Sequence, residues 1–100
     1  MVPDKVYSIP EIKNIVTPIA AKHGVERVFL FGSYARGEAS PKSDIDLRID
    51  SGKIKGLFAL AGFHVDLEET FNTKVDVLTT GGLNEKFRNR IAEEEVLIYE

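Results

Sequence analysis

Three aspartates carry the first indication of chemistry. Asp44 and Asp46 stand two apart in the run DIDLRID (residues 44–50), and Asp76 lies between two valines in VDVL (75–78). Aspartate is disfavoured in strands, yet both runs otherwise read as strands. Side chains two apart on a strand share a face, about 7 Å apart along the chain. Two carboxylates on one face repel each other unless a cation lies between them. Hard divalent cations such as Mg²⁺ take oxygen ligands, usually one or two carboxylates plus substrate phosphates. If the two strands are neighbours, Asp44, Asp46 and Asp76 converge on one metal cluster. A pair of ions about 3.5–4 Å apart would then stabilise the attacking and leaving oxygens of an in-line phosphoryl transfer.

The second group is Gly32-Ser33, where the apolar run VERVFLF (25–31) opens into a turn-rich stretch, GSYARGEASPKS (32–43). Glycine lets backbone N–H groups approach a phosphate closely, and the serine hydroxyl and the N–H groups after it bond phosphate oxygens. Arg36 and Lys42 add positive charge nearby. Arg48 shares the strand face of Asp44 and Asp46, where it either neutralises a triphosphate or pairs with Asp46 or Asp50. A lone Gly-Ser is only a turn, and a lone Asp-x-Asp is more often a solvated strand face. The combination is sharper: a strand, Gly-Ser, ten residues, Asp-x-Asp in a strand, and a third strand aspartate.

In this form, Gly32-Ser33-Tyr34-Ala35-Arg36-Gly37 followed by Ser43-Asp44-Ile45-Asp46-Leu47, the chain resembles the DNA polymerase β-like nucleotidyltransferase superfamily, and within it the minimal nucleotidyltransferase (MNT) branch. The resemblance implies that Asp44 and Asp46 are the metal-binding pair and Asp76 the third carboxylate, which helps activate the acceptor hydroxyl. It implies that Gly32 and Ser33 hold the nucleotide phosphates. Arg36 matches the family arginine, as a nucleotide contact or a loop anchor. Mg²⁺, in two ions, and ATP as substrate follow from the same resemblance. So does a partner: minimal members commonly pair with a small helical HEPN toxin, and transfer AMP from ATP to one of its tyrosines.

The elements that must position these groups are legible from periodicity. Ser8-Ile9-Pro10-Glu11 fits a capping box, and Ile12, Ile15, Val16 and Ile19 form one apolar helical stripe. Gly24 reads as a left-handed stop, and Pro18 is expected to kink or shorten the helix. Residues 25–31 and 44–50 read as strands, with Ile45, Leu47 and Ile49 on one face. A second helix is expected over 54–71, a strand over 75–78, a third helix from about Leu83 to Glu94, and a last strand over 96–99. The fold class is α+β: a small mixed sheet of about four strands flanked by about three helices, in one domain, 1–100.

Composition bounds the rest. A chain of 100 residues can bury about 65% of its surface, enough for one core but not for a separate acceptor-binding domain. With no cysteine and two histidines, thiolate chemistry, disulfides and a three-histidine zinc site are excluded. The net charge of −3 disfavours nucleic acid as a direct ligand. The stretch MVPDKVYS lacks a signal pattern and the longest apolar run, Leu57–Ala61, is too short for a membrane span; a cytoplasmic protein is expected.

Three functional readings result. The first is an Mg²⁺-dependent nucleotidyltransferase serving as the antitoxin of a toxin–antitoxin pair. The second is a catalytically inactive antitoxin that neutralises its partner by complex formation. The third is a nucleotidyltransferase acting on nucleic acid or a small molecule. His23 reads as a helix-end residue, His64 as half-buried packing, and Glu93-Glu94-Glu95 as a solvated helix end. Phe58, Phe63, Phe71 and Phe87 read as core. Tyr34, beside the phosphate loop, is the best placed of three tyrosines for self-modification.

Overall fold

The computed structural model describes residues 5–100; the first four residues of the stretch read as lacking a signal pattern lie outside the described residues. Helix α1 (Ile9–His23) begins as the sequence predicts. The Ser8 hydroxyl accepts the Glu11 N–H at 3.2 Å and the Glu11 carboxylate accepts the Ser8 N–H at 3.0 Å. Gly24 ends the helix in the left-handed region, φ 74°. Ile12, Val16 and Ala20 are fully buried. Pro18 does not shorten the helix, which runs on to His23. Pro18 lies on the exposed face, where the backbone groups its ring disrupts can turn to water.

Strands β1 (Arg27–Phe31) and β2 (Ile45–Asp50) pair antiparallel, joined by the loop that contains the one-turn helix α2 (Gly32–Ala35). Helix α3 (Gly56–Phe71) is the crossover that lets β3 (Val75–Thr79) run parallel to β2. A 3₁₀ turn (Thr80–Gly82), helix α4 (Glu85–Ala92) and β4 (Val96–Tyr99) complete the chain, with β4 antiparallel to β1. The sheet order is β3-β2-β1-β4. Among the described residues this makes four strands, and four α-helices rather than the three expected. The extra one is α2, whose four residues are too few for a hydrophobic period to register.

One face of the sheet is the core. Val28, Leu30, Ile45, Leu47, Ile49, Val75 and Ile98 meet Ile12, Val16, Phe63, Leu67 and Phe71 from α1 and α3. The period-two alternation of β2 therefore places Asp46, Arg48 and Asp50 on the opposite face. That face is partly covered by α4, where Phe31 and Phe87 meet edge to face at 6.3 Å.

Phe58 departs from the expectation of a core residue. It is 97% exposed, and Leu57 beside it 82%. The buried stripe of α3 is Phe63, Leu67 and Phe71, and Phe58 falls five residues before its first member, off the i, i+4 spacing. Phe58→Ser should therefore change unfolding free energy by no more than about 0.5 kcal/mol, measured by urea denaturation; a cost of 2 kcal/mol or more would place Phe58 in the core after all.

Candidate active site

Asp46 and Asp76 are direct partners in the register of the parallel pair β2–β3. The Asp76 carboxylate faces Asp46 across the strand pair, and Asp44 adds a third negative charge beside them. Burial, then the Asp76 carboxylate, then Asp44 push the Asp46 carboxyl up from 3.8 to about 6. The Lys74 ammonium lies 3.6 Å from Asp44 Oδ2 and 3.9 Å from Asp76 Oδ1, so a cation already bridges two of the three carboxylates.

Among the described residues no three His, Asp or Glu side chains close on one point as a finished single-ion cage. The donor set nevertheless fits divalent cations. It is all hard oxygen, it is held on rigid strands, and it sits where a positive charge relieves the repulsion that adds to burial in raising the Asp46 carboxyl. A cluster spread over neighbouring strands and completed by substrate phosphates also suits a pair of ions better than one closed cage.

Gly32 stands directly against this cluster. Its φ is 76°, and a Cβ built on it would come within 2.2 Å of Asp46 Oδ2. The glycine thus serves two needs at once, a left-handed backbone and the close approach of the loop to the carboxylate. Gly32→Ala should cost about 2 kcal/mol of stability from strain and clash, and should reduce nucleotide binding as the loop moves off Asp46. Thermal denaturation and ATP titration of the variant check both; wild-type binding would show that the close approach is incidental.

Ser33 is half-buried beside Gly32, and its carbonyl accepts the Glu38 N–H at 2.9 Å. Arg36 lies in the same loop but is already engaged: Nε donates to Glu38 at 2.8 Å and Nη1 to Glu94 at 3.0 Å. These two bonds hold the loop in place and engage two of the three guanidinium nitrogens. Lys42 is exposed at the loop end.

Of the two readings of Arg48, its contacts favour pairing within the fold over a triphosphate. It is only 8% exposed. Its guanidinium is bidentate to Glu95 (3.0 and 2.7 Å), donates to the Thr80 hydroxyl at 2.7 Å and stacks over the Phe29 ring at 4.1 Å. Asp50 is 3.5 Å away, so the alternative of pairing with Asp50 is met in part. Glu94 and Glu95 are likewise not a solvated helix end, because both carboxylates are bound to arginines across the fold.

The remaining residues are structural. His23 pairs with Asp66 at 2.7 Å. His64 hydrogen-bonds the Val75 carbonyl while Glu68 accepts the Val75 N–H at 3.0 Å, so α3 clamps the start of the Asp76 strand. Tyr34 is 5% exposed and belongs to the core cluster, which removes it as an acceptor for self-modification. Sequence reasoning missed Lys74 and Glu94; Lys74 carries a signal, since it stands two residues before Asp76, immediately ahead of that strand.

Comparison with known proteins decides the family. The polymerase beta nucleotidyltransferase model matches residues 13–100. The chain belongs to that family. A Methanocaldococcus jannaschii protein named for protein adenylyltransferase activity, MJ0435, is 43% identical over 89 residues, covering 89% of this chain and 96% of its own. A solved minimal nucleotidyltransferase superposes with a TM-score of 0.77 at 30% identity, over 90% of this chain and 95% of its own. A chain from a Shewanella oneidensis complex, a tri-AMPylated HEPN toxin with its MNT antitoxin, gives a TM-score of 0.70 at 14% identity, over 90% of this chain and 71% of its own. The last likeness is one of fold. The resemblance read from the Gly-Ser…Asp-x-Asp motif is thus borne out, and this nucleotidyltransferase has the four-stranded mixed sheet expected of it.

Proposed function

We propose that this nucleotidyltransferase is a protein adenylyltransferase and an antitoxin, moving AMP from ATP to a tyrosine hydroxyl of a HEPN-type toxin. The observation that carries the reading is the in-register pairing of Asp46 with Asp76, with Gly32 packed against Asp46. That arrangement sets a phosphate-approaching backbone beside a carboxylate cluster, the two parts that attack on the α-phosphorus of a nucleotide requires. The names of MJ0435 and of the toxin–antitoxin complex support the acceptor and the partner.

Asp44, Asp46 and Asp76 would hold Mg²⁺, which when bound supplies charge stabilisation of the phosphates and of the attacking oxygen. Gly32 and Ser33 would bind the triphosphate through backbone N–H and hydroxyl, and Arg36 would add positive charge to it. Asp76 lies at the edge strand of the sheet, open to an incoming acceptor hydroxyl whose proton it would draw off. The bond from that oxygen to the α-phosphorus forms as the bond to pyrophosphate breaks. Among the described residues no helix is long and apolar enough to cross a membrane.

The test is protection of cells that co-express a HEPN-type toxin with this chain. Wild type should protect and carry AMP to the toxin, and Asp44→Asn with Asp46→Asn should do neither. Protection by the double variant would show neutralisation by complex formation alone.

The same site makes a pH-dependent prediction. The folded Asp46 carboxyl titrates at about 6 against 3.8 when free, so its protonated form stabilises the metal-free fold. That contribution is complete below pH 3.8 and is lost as the pH rises through 6. Divalent cations require the deprotonated form. Added Mg²⁺ should therefore raise Tm more at pH 7.5 than at pH 5, measured by thermal denaturation against an EDTA control; equal shifts at the two pH values would contradict it.

A further inference from the structure

We infer that Glu94 is a positioning residue for nucleotide binding, holding the Gly32–Arg36 loop in register with the Asp46 strand. The inference rests on the function proposed above and names a residue in it that the motif does not contain.

Apart from Tyr34, the loop is weakly tied by its own residues. Helix α2 is a single turn of four residues, far below the length at which a helix is self-supporting. Its backbone bonds are local: Arg36 N–H to Gly32, Gly37 N–H to Tyr34 and Glu38 N–H to Ser33. Tyr34 anchors it from below in the core. Among the described residues, the hydrogen bonds that tie residues 32–43 to a distant part of the chain are the two made by Glu94. Its Oε1 accepts the Gly32 N–H at 3.1 Å and its Oε2 accepts Arg36 Nη1 at 3.0 Å. One carboxylate thus grips both ends of the turn.

The next residue grips the other half of the site. Glu95 holds Arg48, which lies two residues from Asp46 on the same strand face. Adjacent glutamates therefore lock the phosphate loop and the carboxylate strand to one short segment between α4 and β4. The segment is itself fixed by Glu94 and Glu95 N–H groups donating to the Ile91 carbonyl at 3.1 and 3.0 Å.

Glu94 also leaves the arginine usable. Arg36 spends Nε on Glu38 and Nη1 on Glu94, and among the described residues its Nη2 has no protein partner. A guanidinium clamped at two nitrogens presents the third in a fixed direction, which lowers the entropy lost on binding a phosphate oxygen.

The experiment is steady-state adenylyl transfer and MgATP titration with Glu94→Ala, Glu94→Gln and Glu94→Asp, beside thermal denaturation of each. The expected result is a KM for ATP raised about tenfold in Glu94→Ala and less in Glu94→Gln, which keeps an acceptor for Gly32, with kcat of the folded enzyme within about twofold. Glu94→Asp should restore part of the affinity. Unchanged KM with only a lowered Tm would overturn the inference by making Glu94 a purely structural contact. A lowered KM would overturn it by making the carboxylate a competitor of the triphosphate. Failure of the wild-type protein itself to bind MgATP would instead defeat the functional reading on which the inference rests.

Discussion

Replacing Asp46 by Asn should abolish nucleotidyl transfer while leaving the metal-free protein at least as stable as wild type. The two effects separate a functional carboxylate from a structural one. Asp46 is held beside Asp76 and Asp44 with its carboxyl pushed up to about 6, so near neutral pH the metal-free fold carries an electrostatic burden there. An amide has no charge to repel and can donate a hydrogen bond to Asp76. Stability should therefore be unchanged or higher at pH 7.5, and the dependence on pH between 4 and 6 contributed by Asp46 should vanish. Transfer, by contrast, should lose one of the carboxylates proposed to hold Mg²⁺, with a fall of at least about 10³-fold in rate. Label transfer and urea denaturation on the same preparation check the pair of effects. A variant several kcal/mol less stable than wild type would mean that Asp46 serves the fold.

The second large effect is expected at Arg48 and concerns stability. Its guanidinium is almost fully buried, against Phe29 on one side and Glu95 and Thr80 on the others. Thr80 in turn donates to Asp50 at 2.6 Å, so the network joins β2, the 3₁₀ turn and the segment before β4. Arg48→Met leaves the mostly buried Glu95 carboxylate without its partner. Breaking one side of such a pair costs about 3–5 kcal/mol, which for a domain of this size lowers Tm by more than about 10 °C. Removing both charges should recover most of that loss: Arg48→Met with Glu95→Met is expected within about 1 kcal/mol of wild type, because the pair's attraction mainly offsets its own desolvation. Chemical denaturation of the two singles and the double gives the coupling directly. A single variant costing under about 1 kcal/mol would mean the pair is screened by solvent and holds nothing together.

These two residues also show what the amino-acid order made legible. Asp46 and Asp76 were readable because the signal is local: an ill-suited residue type in a strand pattern, at a spacing tied to Gly32 and Ser33. The capping box of Ser8 and Glu11 and the stop at Gly24 were readable for the same reason, since each is completed within four residues. Pairing of Asp46 with Asp76 needed only the assumption that the strands are neighbours, and α3, as a crossover, makes them parallel neighbours. Arg48 with Glu95 and Arg36 with Glu94 were not readable, because their partners lie 47 and 58 residues away and no periodicity links them. Glu93-Glu94-Glu95 looks like a solvated acidic run, and only the fold shows two of its members bound to arginines. Phe58 failed in the opposite direction: residue type suggested burial, whereas position relative to the Phe63, Leu67, Phe71 stripe decided exposure.

The measurement closest to the central claim is transfer of label from ATP to a HEPN-type toxin, the proposed partner, in the presence of Mg²⁺, run in parallel with label in the α-phosphate and in the γ-phosphate. Attack at the α-phosphorus predicts label on a partner tyrosine from α-labelled ATP alone, with one pyrophosphate released per AMP transferred and none of either with EDTA. Label on the partner from γ-labelled ATP, or pyrophosphate-free binding with no label from either, would contradict it.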